Sequence, residues 1–122
     1  MKYLITFCMI LGVNAIIISQ STDYFKALGS GNTDALAKVM KSEVEFCINS
    51  GQKNISKTEA IGALKEFLAD VNPKSCRKMH DGDSKVAGSY FQVGKLKSEK
   101  GNYRVFIYFE QDKIVEFRID DY

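Results

Sequence analysis

The chain has 122 residues, of which 17 are Lys or Arg and 15 are Asp or Glu, so its formal net charge is +2. This length suits one domain with one hydrophobic core. Residues of opposite charge are interspersed, and the sequence lacks the stripe of basic residues that a nucleic-acid-binding surface needs. We therefore expect no nucleic-acid partner.

Residues 1–20 have the pattern of a secretory signal peptide. Lys2 supplies a short positive start, residues 3–18 are almost wholly apolar, and the polar residues 19–21 follow. The apolar run is short for a membrane span, which takes about 20 residues. An uncleaved N-terminal anchor is the alternative. We predict a signal peptide over 1–20, a single domain over 21–122, a periplasmic or extracellular location, and no stable membrane span after cleavage.

Export leaves two cysteines, Cys47 and Cys76, in an oxidising environment where a disulfide can form. Each lies in a predicted strand, and nothing in the sequence places the two strands side by side. A disulfide and two small buried thiols therefore stay open as alternatives.

The first half of the domain reads as helices followed by a strand pair. A short helix over 23–28 ends at glycine-rich residues 29–31, and a second helix follows from Asn32 or Thr33 to about residue 41. Residues 43–48 alternate between apolar and polar, which indicates a half-buried strand, and residues 53–55 form a brief edge strand.

A long helix follows, and its start carries a clear signal. Ser56 is followed three residues later by Glu59, the pattern of a capping box. Apolar residues then recur with helical spacing, and Pro73 ends the helix by residue 72.

From Ser75 the period changes to two, which predicts antiparallel strands. Their expected ranges are 75–80, 86–97, 103–110 and 114–120. With a three-residue loop at 111–113, the last hairpin pairs its apolar residues on an inner face as Phe109–Val115, Ile107–Phe117 and Val105–Ile119. The outer pairs are then Tyr108–Glu116, Phe106–Arg118 and Arg104–Asp120, which combine opposite charges with a cation–π contact.

Carrying this alternation across a five-residue loop at 98–102 places Phe91 and Val93 on the inner face. Tyr90, Gln92, Gly94 and Leu96 then fall on the outer face, with Gly94 opposite Phe106. Six outer-face residues are expected to form an interface: Tyr90, Leu96, Arg104, Phe106, Tyr108 and Arg118. Tyr, Phe and Arg are favoured at interfaces. Ordinary cross-strand pairing on an exposed sheet is the alternative.

The order helix, helix, strand pair, long helix and four strands resembles the nuclear transport factor 2-like superfamily. In that fold a curved antiparallel sheet wraps its helices as a cone. The phrases FKALGSGNTDALAKVM, FLADVNPKS, VGKLKSEKGNYRVFIYF and IVEFRID resemble the small exported bacterial family called domain of unknown function 4783. The resemblance implies an α+β cone and export, and it brings no functional residues. Larger relatives include ketosteroid isomerases, small-molecule binders and dimerisation modules, and fold alone does not choose among them.

No reaction centre is expected. His80 and Asp81 are neighbours on a strand and point to opposite faces, so they do not form a catalytic pair unless the turn bends them together. Asp81, Asp83 and Ser84 are too few for a calcium site and are typical of a turn. We expect no catalytic residue, metal or cofactor. The expected inner face holds no acid, and Tyr103 is its only phenol.

The sequence thus favours a non-enzymatic binding or dimerisation module that uses its sheet face, with a second copy or another exported protein as partner. The alternative is a small-molecule-binding or isomerase-like cone with a pocket near Tyr24, His80 and Tyr103. A sizeable cavity holding an acid or histidine with a shifted pKa would favour that alternative.

Overall fold

A computed structural model describes residues 22–122, so the predicted signal peptide lies outside the described residues. The described chain folds into three helices and six strands. In chain order they are α1 (Tyr24–Gly29), α2 (Asp34–Val39), β1 (Met40–Ile48), β2 (Ser50–Ser56), α3 (Lys57–Val71), β3 (Pro73–Asp83), β4 (Ser89–Ser98), β5 (Gly101–Glu110) and β6 (Lys113–Asp121).

Local sequence signals account for both ends of α3. The Ser56 side chain accepts a hydrogen bond of 3.2 Å from the Glu59 backbone N–H, which confirms the predicted cap. Asn72 then takes the left-handed conformation, with φ of 55°, and Pro73 begins β3. At α1 the Asp23 side chain accepts from the first turn in the same way.

The six strands form one sheet in the order β2-β1-β6-β5-β4-β3. All neighbours pair antiparallel except β1 and β6, which are parallel. The sheet is therefore curved and mixed rather than wholly antiparallel. The parallel pair joins the two halves of the chain and places the final hairpin in the middle of the sheet.

One face of this sheet is covered by the helices and forms the core. Its strand residues include Val105, Ile107, Phe109, Phe117 and Ile119, each 0% exposed. The helices contribute Phe25, Leu28, Leu36, Leu64 and Leu68. We call this side the covered face and the opposite side the open face.

The predicted pairing of the last hairpin is confirmed over most of its length. Ile107 pairs with Phe117 and Val105 with Ile119, and the three predicted outer pairs also form. The register shifts after Tyr108, so that Phe109 pairs with Ile114 and the predicted Phe109–Val115 pair is wrong. The loop is the two residues Gln111 and Asp112, both with positive φ, and the shift leaves Val115 as a bulge.

The predicted face assignment of β4 is wrong. Ser98 pairs with Gly101, so only two residues join β4 to β5 instead of five, and the alternation of β4 is inverted. Leu96 is 0% exposed in the core. Tyr90 lies on the covered face, where its ring stacks on Phe109 at 4.7 Å. Phe91 and Val93 therefore belong to the open face.

Gly94 lies on the covered face, opposite Val105 rather than Phe106. The ring of Phe25 occupies the space above it, and a Cβ at this position would overlap that ring and lie 2.8 Å from the Arg77 carbonyl oxygen. Here a glycine lets α1 approach the sheet closely.

Cys47 and Cys76 are both free and buried. Cys47 lies on β1 and Cys76 on β3, with β6, β5 and β4 between them. Four strand spacings of about 4.8 Å keep the two backbones far beyond the reach of a disulfide. The alternative of two buried thiols is therefore confirmed.

Among residues 22–122, no helix is both long and apolar enough to cross a membrane.

Candidate functional site

The open face carries a continuous aromatic and apolar cluster at its centre. We call this cluster the apolar centre: His80, Phe91, Val93, Phe106 and Tyr108. Strand pairing brings the members together, because His80 lies opposite Val93, Val93 opposite Phe106, and Phe91 opposite Tyr108. The Phe91 ring lies 5.8 Å from the His80 ring in an edge contact and 6.0 Å from the Phe106 ring in a stacked one.

Neighbouring groups hold the rings of this cluster in place. Phe91 lies over Gly82, where a Cβ would be only 2.8 Å from the ring. The Tyr108 hydroxyl donates a hydrogen bond of 3.0 Å to Ser84 Oγ. Phe91, Val93, Phe106 and Tyr108 are partly exposed and His80 is exposed. The apolar centre is therefore ordered and still reaches solvent.

Basic residues lie together at one corner of the open face, which we call the basic corner: Arg77, Lys95 and Arg104. The register aligns them in one row across β3, β4 and β5. Lys95 Nζ lies 4.5 Å from the centroid of the Tyr122 ring, and Arg104 Cζ lies 5.6 Å from it. These cation–π contacts keep both cations on the open face.

Carboxylates lie at the opposite corner, which we call the acidic corner: Glu43, Glu45, Glu110 and Glu116. They border a solvent-open groove of about 620 Å³ that also touches Lys41, Tyr108 and Val115. Burial raises the pKa of Glu116, the charge of Glu45 raises it further, and Arg118 opposes the shift. The acids of this corner therefore repel one another.

Arg118 lies between the apolar centre and the acidic corner. Its guanidinium is 4.0 Å from the Glu116 carboxylate and 3.8 Å from that of Asp120. Its Nε is buried and has no hydrogen-bond partner among the described residues. These long contacts leave the cation loosely paired within the protomer.

The part of the chain that the structure describes contains no group of three or more His, Cys, Asp or Glu side chains placed to hold a metal ion. The four acids of the acidic corner are spread along a groove and do not converge on one point. We therefore treat this corner as a charged surface.

Four of the six residues predicted for the interface lie together on the open face: Arg104, Phe106, Tyr108 and Arg118. Tyr90 and Leu96 do not, because the short β4–β5 loop turns both toward the core. Sequence reasoning placed Phe91 and Val93 on the inner face and His80 in the alternative pocket, so it missed all three for the open face. The signal that would have found Phe91 and Val93 is a two-residue hairpin at Glu99 and Lys100.

The three residues of the alternative pocket do not come together. Tyr24 packs near Phe109, at 5.7 Å between ring centroids. Tyr103 makes an edge contact of 5.0 Å with Phe67 of α3. His80 lies on the open face, on the other side of the sheet.

A different polar pair lies at the rim of the covered face. The Tyr90 hydroxyl donates a hydrogen bond of 2.8 Å to Asp112 Oδ1, beside an open hollow of about 500 Å³. Burial, followed by this bond and the charge of Asp112, raises the pKa of Tyr90 to about 12. Tyr90 therefore stays protonated and remains a hydrogen-bond donor. The sequence did not indicate this pair, because Tyr90 was expected on the opposite face.

A smaller hollow lies between α3 and the β1–β2 hairpin. It has a volume of about 240 Å³, and its lining includes Phe46, Ile48, Ile55 and Glu59. Ligand pockets are usually about 300–1,000 Å³, so this one is small for a drug-sized molecule.

A family model described as "Domain of unknown function (DUF4783)" matches residues 21–121. The chain belongs to this family. Its match spans all but the last of the described residues, so the strands that carry the open face and the helices that cover the core are both family features. No curated protein matches the chain significantly.

Solved structures of other family members have the same fold. A DUF4783 family protein from Bacteroides ovatus ATCC 8483 is 26% identical, with a TM-score of 0.75, covering 84% of this chain and 96% of that one. One from Bacteroides uniformis ATCC 8492 is 29% identical, with a TM-score of 0.71, covering 81% and 94%. The structure named Rd1NTF2_04 with long sheet is 11% identical, with a TM-score of 0.64 and coverages of 79% and 92%, and it shows the fold alone. The predicted family and the nuclear transport factor 2-like cone are thus confirmed.

Proposed function

We propose that this protein is a non-enzymatic assembly module that forms a homodimer through the open face of its sheet. The observation that carries the proposal is the apolar centre, where Phe91 and Phe106 stack on a face that none of the described helices covers. Contiguous exposed aromatic surface rimmed by charge is typical of a protein–protein interface.

The size of the face suits a stable pair. Strands of about ten residues and five strand spacings give a surface of roughly 700 Å². A standard interface buries about 800 Å² on each partner. The open face also carries charges of both signs, Arg104 and Glu116 among them, so a second copy can satisfy it without another kind of protein.

The proposal places this module outside the cytoplasm. The signal-peptide pattern of residues 1–20 supports export. Cell fractionation of the full chain with a C-terminal tag tests this part, because a processed form in the periplasm or medium is expected. A full-length form confined to the cytoplasm would contradict it.

The solution mass of residues 21–122, measured by light scattering, tests the dimer. We expect twice the protomer mass for the wild type and a folded monomer for Phe106→Glu, because the substitution places a charge in the middle of the interface. Val86→Glu is the matched control, since Val86 is 61% exposed in the β3–β4 connection.

Circular dichroism establishes that each variant is folded. If Phe106→Glu does not fold, Val93→Lys probes the same face. A monomeric wild type at all accessible concentrations would overturn the proposal, and so would a dimer that neither open-face variant affects.

The pair Tyr90–Asp112 favours a second candidate function, small-molecule binding or isomerase-like chemistry at the rim of the cone. Tyr90 has a single O–H, so the carbonyl oxygen of a ligand in the adjoining hollow would accept this hydrogen bond in place of Asp112. A thermal-shift screen with small apolar ketones tests it. A ketone that stabilises the wild type but neither Tyr90→Phe nor Asp112→Asn would favour this function over the first.

A further inference from the structure

We propose that the two copies are related by a twofold axis that places the acidic corner of each protomer on the basic corner of its partner. This inference rests on the proposed homodimer and adds its geometry. It follows from where the charges of the open face lie relative to the apolar centre.

The two corners lie on opposite sides of the apolar centre. Along β5, Arg104 precedes Phe106, and Glu110 follows Tyr108. Across the sheet, Arg77 lies on the edge strand β3, whereas Glu45 lies on β1, four strands away. With strand spacings of about 4.8 Å, the corners are roughly 20 Å apart.

This separation prevents the two corners from neutralising each other within one protomer. It exceeds the screening length of about 8 Å at physiological ionic strength. Lys41 and Arg118 border the acidic corner, and Asp120 lies opposite Arg104, but in each corner the opposing charges are fewer than the four acids or three bases that define it. Each corner therefore keeps its own sign and can pair with an outside surface of the opposite sign.

In a dimer whose twofold axis lies in the plane of the interface, each position on the face of one copy meets a position on the face of the other copy. The position that it meets is the one found at the same distance from the axis on the opposite side. If the axis passes through the apolar centre and is perpendicular to the line that joins the two corners, the apolar centre of one copy packs on the apolar centre of the other. With the same axis, the acidic corner of each copy faces the basic corner of the other, so the dimer has two contacts between opposite charges. An axis along that line would instead place acid on acid and base on base, which is repulsive at both corners.

The state of Glu116 agrees with this arrangement. Its pKa is raised by burial and by Glu45, so the acidic corner is strained by like charge in the single protomer. Lys95 and Arg104 of the partner would relieve that repulsion. Both cations are held at the surface by the Tyr122 ring, within reach of a facing molecule.

A charge-exchange experiment tests the axis. One variant combines Glu45→Lys with Glu116→Lys, and the other combines Lys95→Glu with Arg104→Glu. In each homodimer both corner contacts become repulsive, so we expect the dissociation constant of each variant to rise at least tenfold. In a mixture both contacts are complementary again, so a heterodimer is expected. Native mass spectrometry resolves it, because the two variants differ in mass.

The control exchanges charges on α3, where Lys65 and Glu66 are exposed on the other side of the molecule. Glu66→Lys and Lys65→Glu should each remain homodimers and should mix statistically, and because their masses are nearly equal, one of them carries a uniform nitrogen-15 label. If a double variant does not fold, the single substitutions Glu45→Lys and Lys95→Glu form the test pair.

The outcomes separate the axis from the dimer itself. A dimeric wild type whose charge variants stay monomeric on mixing, or stay homodimeric alone, overturns the proposed axis and leaves the homodimer standing. A monomeric wild type overturns both. Selective heterodimer formation from two weakened variants supports the axis, and it also shows that both variants are folded.

Discussion

The two faces of this sheet are built from the same strands and differ in what completes them. On β5, Val105 and Ile107 point to the covered face and are 0% exposed, whereas Phe106 and Tyr108 between them reach solvent. The covered face is completed by helices of its own chain, so its side chains set the stability of the fold. The open face also carries aromatic side chains but lacks such a cover among residues 22–122, so we expect its side chains to contribute mainly to association.

The largest effect should come from removing a ring from the covered face. Phe117→Ala deletes a side chain that is 0% exposed and stacked near Phe46 at 5.8 Å. We expect a loss of about 3–5 kcal/mol in the free energy of unfolding, from lost burial and the cavity left behind. Phe106→Ala on the open face should cost less than about 1.5 kcal/mol in a monomer. Urea unfolding measures both, and equal losses would contradict the comparison.

Gly94→Ala tests which face this part of β4 belongs to. The added methyl group would overlap the Phe25 ring and press on the Arg77 carbonyl, so we expect a loss of about 1–3 kcal/mol in unfolding free energy. Gly62→Ala is the matched control. Gly62 lies within α3 with open space around it, and alanine there should stabilise by about 0.5–1 kcal/mol. A neutral Gly94→Ala would mean that Gly94 faces solvent.

The parts of the fold that the sequence predicted correctly depend on local patterns. The Ser56 cap involves residues three apart, and most of the last hairpin follows from matching apolar residues across one turn. The predicted face assignment of β4 was wrong because it depends on the length of the β4–β5 loop, which sets the pairing register. An error of one residue in that register turns every side chain of the strand to the opposite face. Of the six residues predicted for the interface, only the four on β5 and β6 were therefore placed on the correct face.

Two further features lie beyond any local pattern. The parallel pairing of β1 with β6 joins residues about 70 positions apart, and no short-range periodicity encodes such a long-range contact. The acidic and basic corners likewise exist only once the strand order is known. Neither Glu45 nor Arg77 belongs to a charged run in the sequence, because strand neighbours rather than chain neighbours assemble each corner.

Salt should affect the association that depends on the open face more than the stability that depends on the covered face. Raising NaCl from 50 mM to 500 mM screens the corner contacts, so we expect the dissociation constant of the dimer to rise roughly three- to tenfold. The unfolding free energy of the monomer, which depends on the covered face, should change much less. Sedimentation at a series of concentrations measures the first quantity and urea unfolding the second. A dimer that tightens in salt would mean that the apolar centre alone holds it.

The smallest effect, and the most specific, concerns Glu116. Its folded-state pKa is raised, so the folded protomer binds a proton at this site more readily than the unfolded chain does. Ionised Glu116 therefore disfavours the fold above its folded pKa, and this penalty disappears as the pH falls below the unfolded value of 4.5. Glu116→Gln should raise the unfolding free energy at pH 7 by less than about 0.5 kcal/mol and leave it unchanged at pH 4.

This measurement belongs at a protein concentration where light scattering gives the monomer mass, because in the dimer the same substitution removes a contact to the partner's cations. Asp70→Asn is a suitable control, since Asp70 is an exposed carboxylate on α3 that accepts a bond from Lys100. It should not stabilise at pH 7. At dimer concentrations Glu116→Gln should weaken association while it stabilises the protomer. One substitution with opposite effects on the two equilibria would distinguish a carboxylate placed for a partner from one placed for its own fold.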